Sequence, residues 1–179
     1  MAFLIFIYFV IGINKIISLH MILSHQIAKN FREVYFGGNW TASSLKNHLQ
    51  EISWEQATTK VSSLNTIVSL VYHINYFVIA VTEVLQAKPL KSHDKYSFDH
   101  LVVSSQKDWE NLLIKAFEDA QVLANLIEQL PESTLWQDFT DKKYGTYYRN
   151  LQGLIEHNHY HLGQIVILKK LINNNTNQN

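Results

Sequence analysis

Four long segments of the sequence place apolar residues three or four positions apart, which is the spacing that lines one face of an α-helix. The segments lie within residues 21–36, 64–86, 105–130 and 146–172. No stretch alternates apolar and polar residues with the period of a β-strand. The pattern therefore predicts an all-α chain.

Helix-breaking residues stand where these patterns stop. Gly37 and Gly38 follow the first segment, Pro89 follows the second and Pro131 the third. Glycine commonly ends a helix because it adopts the left-handed conformation, and proline stops one because it lacks a backbone N–H. Two shorter helical pieces are expected between the first two long helices, within residues 43–61.

The stretch over residues 88–104 has no sustained apolar period and is long for a connection in a compact helical protein. It indicates a crossover between helices or a loop over a site. Ser53 with Gln56 and Ser105 with Asp108 have the spacing of capping boxes, which mark helix starts. Four long helices with one long crossover predict a four-helix bundle.

Composition limits the classes of partner. With 179 residues, 47% of them apolar, the chain suits one domain with a sizeable core. Lys and Arg together number 15, as do Asp and Glu, so no basic surplus favours nucleic acid or anionic lipid. We expect no nucleic-acid partner and no stable membrane association. Cysteine is absent, so any thiol chemistry requires a thiol from outside the chain.

Residues 1–20 are apolar with no charge before Lys15, yet their apolar run is shorter than the roughly 18–20 residues of a bilayer span. They also lack the basic start of a signal peptide. Three interpretations are open: sequence translated upstream of a start at Met21, a weak membrane or export signal, or an extra packed segment. We expect a helical domain over residues 21–173 and a disordered Asn-rich tail over residues 174–179.

The segment HNHYHLGQ, residues 157–164, carries three histidines. At about 100° per residue, His157 and His161 differ by about 40° and share a helix face, whereas His159 lies about 200° from His157. The shared face is the apolar one, so the pair is predicted to point into the core. Histidines at i and i+4 are spaced so that one helix offers two nitrogens to one metal ion, which would satisfy both buried rings.

A third ligand has to come from another helix. Of the remaining histidines, only His73 lies midway along a long predicted helix, on an inward position between Leu70 and Phe77. A hydrogen-bonded core histidine and a chance HxxxH spacing are the alternatives that the residues leave open. No glutamate stands between His157 and His161, so the HExxH mechanism of metalloproteases is not supported. The other histidines outside the last helix are His20, His25, His48, His93 and His100.

The HxxYHxGQ motif, together with NTIVSLVYHINYF at residues 65–77, resembles the DinB/YfiT-like superfamily of metal-binding four-helix proteins. The segments GGNWT, WEQAT and KYGTYYRNLQG are similar to one bacterial branch of it, and the resemblance covers about residues 21–172. It implies a bundle with up-down-down-up topology. It also implies a divalent metal, zinc or nickel, bound by His73, His157 and His161.

The resemblance extends to residues around the metal. It implies that Gly163 allows close helix packing and that Gln164 orients the site. Tyr160 and Asn150 are expected around the ligands or in the pocket beside them. His159 is not carried over as a ligand.

Members of this superfamily with known activity include thiol S-transferases. The resemblance therefore implies a metal-dependent S-transferase that joins an external low-molecular-weight thiol to small electrophiles, in the cytoplasm, as a monomer or a homodimer. A metal with an open coordination position suits that chemistry. Two other classes stay open: a metal-dependent hydrolase, with Asp94 or Asp99 reaching in as a base, and a non-catalytic stress-related protein with a structural metal.

Overall fold

The computed structural model describes residues 22–100 and 102–176, and these contain six α-helices. The helices are α1 (Leu23–Phe36), α2 (Leu45–Leu49), α3 (Trp54–Thr58), α4 (Ile67–Leu85), α5 (Gln106–Glu128) and α6 (Tyr147–Thr176). The expectations for residues 1–20 lie outside the described residues.

Short 3-10 turns occupy parts of the connections, at Asp94–Tyr96, Glu132–Trp136 and Lys142–Tyr144. The described ranges contain no β-strand, and extended pairing there is limited to an isolated bridge between Asp138 and Thr146. The predicted all-α class is confirmed.

Side-chain caps fix where the helices begin. Ser53 and Gln56 form the predicted capping box of α3, in which each side chain bonds the other residue's backbone N–H. α4 begins at Ile67, three residues later than expected, because the Thr66 hydroxyl accepts a hydrogen bond from the N–H of Ser69.

The last helix is longer than the sequence pattern predicts. α6 continues to Thr176, four residues beyond Ile172, where the apolar pattern ends, and residues 177–179 of the expected tail lie outside the described residues. Ile172 is only 5% exposed and anchors the final turns to the core. Extending an existing helix adds a hydrogen bond without the cost of a new nucleus, which explains why the polar residues remain helical.

The long helices pack in pairs: α1 contacts α5 and α6, and α4 contacts the same two helices. α4 and α5 run in the same direction, since Tyr72 lines a cavity with Asn111 and, further along both helices, Asn75 donates to the Asp119 carboxylate. Consecutive parallel helices need a connection that returns along their length. Residues 86–105, called the crossover below, make the connection between α4 and α5.

α6 runs opposite to α4. Near the start of α4, Leu70 lines a cavity with Leu168, and near its end Val81 lines another with Gly153. The antiparallel pairing places the middle of α4 against the middle of α6, where the paired histidines of α6 lie.

Trp109 ties the shorter helices to this frame. Its side chain is fully buried, and its indole N–H donates to the backbone oxygen of Ile52 at 2.8 Å. A buried indole is stable only when its N–H has such a partner. The connection between α2 and α3 is thereby held against α5.

Among the described helices, α4 alone is long and apolar enough to meet the length and composition criteria for a membrane span. In its most apolar window 61% is buried inside the protein, including Val68, Ile74 and Val78. Its apolar residues thus serve the protein core.

Candidate metal centre

The Nε2 atoms of His73, His157 and His161 converge between α4 and α6. The Nε2 of His157 lies 3.0 Å from that of His73 and 3.0 Å from that of His161. One nitrogen from each ring lies within 4.8 Å of the others, which is close enough to bind one metal ion. The structure thus brings together the three histidines selected from the sequence.

Helix geometry accounts for the convergence. His157 and His161 lie one turn apart on α6, with ring centroids 4.4 Å apart. The ring of His73, from the antiparallel α4, lies 4.9 Å from the first and 4.7 Å from the second. His73 and His161 are buried, and His157 is half-buried.

Ser97, in the crossover, sets the tautomer of His73. Its Oγ lies 2.9 Å from the Nδ1 of His73 and donates to the backbone oxygen of Asp94 at 2.7 Å. Because the single hydroxyl proton goes to Asp94, the Ser97 oxygen accepts the Nδ1–H of His73. The Nε2 of His73 is then left with a lone pair that faces the other histidines.

Gln164 sets the tautomer of His161. Its carbonyl oxygen Oε1 lies 2.7 Å from the Nδ1 of His161 and can only accept, while its amide nitrogen donates to the Tyr160 hydroxyl at 3.2 Å. The Nε2 of His161 therefore also carries a lone pair. Gln164 thus orients the His161 ring. The Tyr160 hydroxyl reaches the histidine through Gln164, while the Tyr160 ring meets the His161 ring edge-on at 5.0 Å.

With these tautomers, hydrogen bonds cannot satisfy all three Nε2 atoms, whereas a bound cation would satisfy them. The Nε2 of His157 faces two lone pairs at 3.0 Å, and one N–H cannot point at both. In the described part of the chain its Nδ1 is buried without a hydrogen-bond partner. Unpaired buried nitrogens are costly, whereas a divalent ion at the centre would bond all three Nε2 atoms.

The electrostatics of the cluster keep the rings neutral. Burial lowers the pKa of His73 to about 4, and the neighbouring His161 and His157 act in the same direction. Burial also lowers the pKa of His157, with a further contribution from His161. In His161 burial outweighs the opposing hydrogen bond to Gln164, so its pKa is lowered as well. Neutral imidazoles bind a metal at pH 7 without first losing a proton.

Two aromatic rings shield the cluster from water. Phe98, from the crossover, stacks on the His73 ring with centroids 4.1 Å apart and an interplanar angle of 12°. Phe77 meets His73 and His157 edge-on, at 5.1 and 5.2 Å. The crossover therefore covers the site, as the irregular stretch over residues 88–104 suggests.

A cavity of about 350 Å³ adjoins His157. It is lined by Phe77, Val81, Tyr144, Arg149, Asn150, Gly153, Leu154 and His157. Within the described ranges the ligand cluster contains three residues, so an ion there would keep a coordination position for a small molecule. Three protein ligands beside a cavity are typical of catalytic metal sites, whereas structural sites are closed by four.

Asn150 and Gly163 are the remaining residues for which the resemblance implies a role. Asn150 lines the cavity, and its amide donates to the backbone oxygens of Tyr144 and Thr146. The role expected for Gly163 is wrong: the residue is exposed, and a Cβ built on it meets no atom within 4 Å. No close helix packing depends on it.

Within residues 22–100 and 102–176, the other histidines and the candidate bases do not join the cluster. His159 is half-buried and contributes no nitrogen to it, while His48 bonds Ser43. The carboxylate of Asp94 lies 3.3 Å from the Ser97 hydroxyl oxygen and is not among the candidate ligands. Asp99 is exposed.

Three residues of the site were missed by sequence reasoning: Ser97, Phe98 and Arg149. The first two belong to a stretch without periodicity, so no pattern marks them. Arg149 stands two turns before His157 on the same helix, a spacing that places both near one face. That spacing was the one available signal.

Comparison of the chain with models of protein families, with curated proteins and with solved structures found no match.

Proposed function

We propose that this chain is a DinB/YfiT-like four-helix bundle that binds zinc or nickel and transfers an external low-molecular-weight thiol to small electrophiles. One observation carries the proposal: three Nε2 atoms converge beside a cavity, and two of them have their lone pairs directed by Ser97 and Gln164.

Helix directions support the bundle. α4 runs parallel to α5 and antiparallel to α6, as described above. α1 runs opposite to α5, since Phe36 contacts Phe117 while Arg32, one turn earlier, pairs with Glu128. Together these directions support the up-down-down-up order that the resemblance implies.

The ligand set supports a borderline metal. Neutral imidazole suits zinc and nickel, and a site without carboxylate ligands disfavours magnesium, calcium and manganese. Three ligands also match the count that leaves a position free for a reactant.

In the proposed reaction the thiol loses its proton to water and its sulfur attacks an electrophilic carbon. An S–C bond forms, and the bond to the leaving group breaks with its electron pair. A bound divalent metal supplies a lowered thiol pKa. The chain itself holds the three imidazoles neutral, covers the His73 ring with Phe77 and Phe98, and offers the cavity in which the second reactant lies.

The test pairs two histidines of α6. His157→Ala should lose both stoichiometric zinc and the conjugation of thiols to 1-chloro-2,4-dinitrobenzene, because it removes the central nitrogen of the cluster. His159→Ala should keep both, because His159 lies outside the cluster. Metal content by atomic emission and product absorbance give the readouts.

Loss of zinc in both variants would indicate nonspecific binding to a histidine-rich helix. Zinc-loaded protein that hydrolyses esters but conjugates none of glutathione, bacillithiol and mycothiol would overturn the transferase proposal in favour of a hydrolase. Inactivity throughout, with unfolding on metal removal, would assign the metal a structural role.

A further inference from the structure

The cavity beside His157 contains a positive charge that the proposed reaction does not use. Arg149 supplies the one Lys or Arg side chain among the eight described lining residues, and no Asp or Glu is among them. We propose that the substrate carries a carboxylate, which Arg149 binds while the reacting atom lies at the histidine cluster. This inference rests on the proposed function and names its substrate class.

Gly153 allows the Arg149 side chain to extend along α6 towards the cluster. A Cβ at position 153 would come within 2.8 Å of the Nη1 of Arg149, so the guanidinium lies over this glycine. Gly153 precedes His157 by four residues, which is about 6 Å along a helix. The guanidinium is thus about one turn from His157, and both border the same cavity.

The existing partner of Arg149 is a loose one. Its Nη1 lies 3.8 Å from Oε2 of Glu156, and the two side chains are 67% and 70% exposed. Exposed ion pairs of this kind contribute little, whereas a bidentate guanidinium–carboxylate contact is considerably stronger. A carboxylate that enters the cavity can therefore replace Glu156 as the partner.

The spacing sets the size of the substrate. One helix turn, about 6 Å along the axis, separates Gly153 under the guanidinium from His157, which suits a carboxylate a few bonds from the reacting atom, as in a mercapto acid of three or four carbons. Phe77, Val81 and Leu154 also line the cavity and suit an apolar spacer. An arginine gives such a substrate a fixed orientation, since its planar fork matches a carboxylate.

The first experiment measures binding without metal, because carboxylates also ligate metal ions. The full chain, treated with chelator, is titrated with 3-phenylpropionate and with 3-phenylpropanamide by calorimetry at pH 7.5. We expect the acid to bind about tenfold more tightly than the amide, in line with hydrogen bonds to charged groups.

Three variants test whether Arg149 causes the preference for the acid over the amide. Arg149→Gln should abolish it, and Glu156→Gln should raise the affinity for the acid about twofold by removing the competing carboxylate. Lys107→Gln, an exposed cation at the start of α5 outside the cavity lining, should behave as the parent chain does. Circular dichroism and zinc stoichiometry of Arg149→Gln verify that its fold and cluster are intact.

A second experiment shows which reactant carries the carboxylate. On the zinc-loaded chain, 3-mercaptopropionate is compared with its amide against a neutral aryl chloride. 4-Chloro-3-nitrobenzoate is then compared with its amide against 2-mercaptoethanol. The pair in which Arg149→Gln lowers kcat/KM for the acid alone identifies the thiol or the electrophile as the anionic substrate.

The two proposals fail differently. Equal binding of acid and amide, or a preference that survives Arg149→Gln, overturns the carboxylate inference whatever the activity. Selective binding of the acid with no conjugation in either arm supports the inference and overturns the S-transferase proposal.

Discussion

His73 and His161 direct their Nε2 lone pairs inwards because another atom accepts the Nδ1 proton of each ring. For His73 that atom is the Ser97 oxygen at 2.9 Å. We expect Ser97→Ala to weaken zinc binding about 10- to 100-fold, because the ring loses both its fixed tautomer and its orientation. Competition with a chromophoric chelator measures the affinity. Ser92→Ala, in the same connection, is the matched control; equal affinities in both variants would contradict the role of Ser97.

Gln164 hydrogen-bonds His161 directly, and the Tyr160 hydroxyl hydrogen-bonds Gln164, so Gln164 should affect zinc binding more than Tyr160 does. Gln164→Leu removes the Nδ1 acceptor at 2.7 Å, so we expect a loss of zinc affinity of about 10- to 100-fold. Tyr160→Phe removes only the 3.2 Å contact to the Gln164 amide, on a residue that is 65% exposed. Its effect should be at most a few-fold. Tyr160→Phe weakening zinc as strongly as Gln164→Leu would show that the phenol acts on the site directly.

At the scale of elements, the crossover between α4 and α5 is as important to the site as the helices. Phe98 stacks on His73, and the burial of that ring is the largest cause of its lowered pKa. We expect Phe98→Ala to raise the pKa of His73 from about 4 towards its ordinary 6.5, because water regains access. Imidazole NMR titration of the metal-free protein measures it. Tyr96→Ala, which lies against His93, should leave the value unchanged.

The sequence predicted the elements where local rules decide. Apolar periodicity and caps located α1, α4 and α5 to within a few residues, since both signals act between neighbours in the chain. Residues 88–104 were identified only as a crossover or a loop over a site. The contact of Ser97 with His73 joins positions 24 residues apart through a chain segment without periodicity, so no local rule predicts it.

At the scale of the whole molecule, the cluster depends on the direction of α4 against α6. The spacing of His157 and His161 was readable from one helix, but His73 meets them only because the two helices run antiparallel with their middles in register. His73 was chosen as the third ligand because it lies midway along a long predicted helix and because the resemblance implies it. The full ligand set was predicted in that way. The cavity was not, because Phe77 and Val81 of α4 meet Arg149 and Gly153 of α6 only when the two helices pack together.

Packing also couples the cluster to stability. In the unfolded chain a histidine titrates near 6.5, whereas the folded, metal-free chain holds His73 near 4 and lowers the pKa of His157 and His161. Between these values the unfolded state binds more protons, so the free energy of unfolding should fall as pH decreases through 6.5 and continue to fall towards about 4. For His73 alone the loss approaches about 3 kcal/mol below pH 4, and about 2 kcal/mol of it falls between pH 7.5 and 5.0. Urea unfolding of the metal-free chain at pH 7.5, 6.0 and 5.0 measures this loss of stability.

The control variant His73→Gln should show a shallower dependence of stability on pH over the same range, where few carboxylates titrate. Saturating zinc at pH 7.5 should raise the unfolding midpoint, because the ion binds only the assembled nitrogens. Stability that is constant from pH 7.5 to 5.0 would mean that the three rings are not held neutral together in the folded chain.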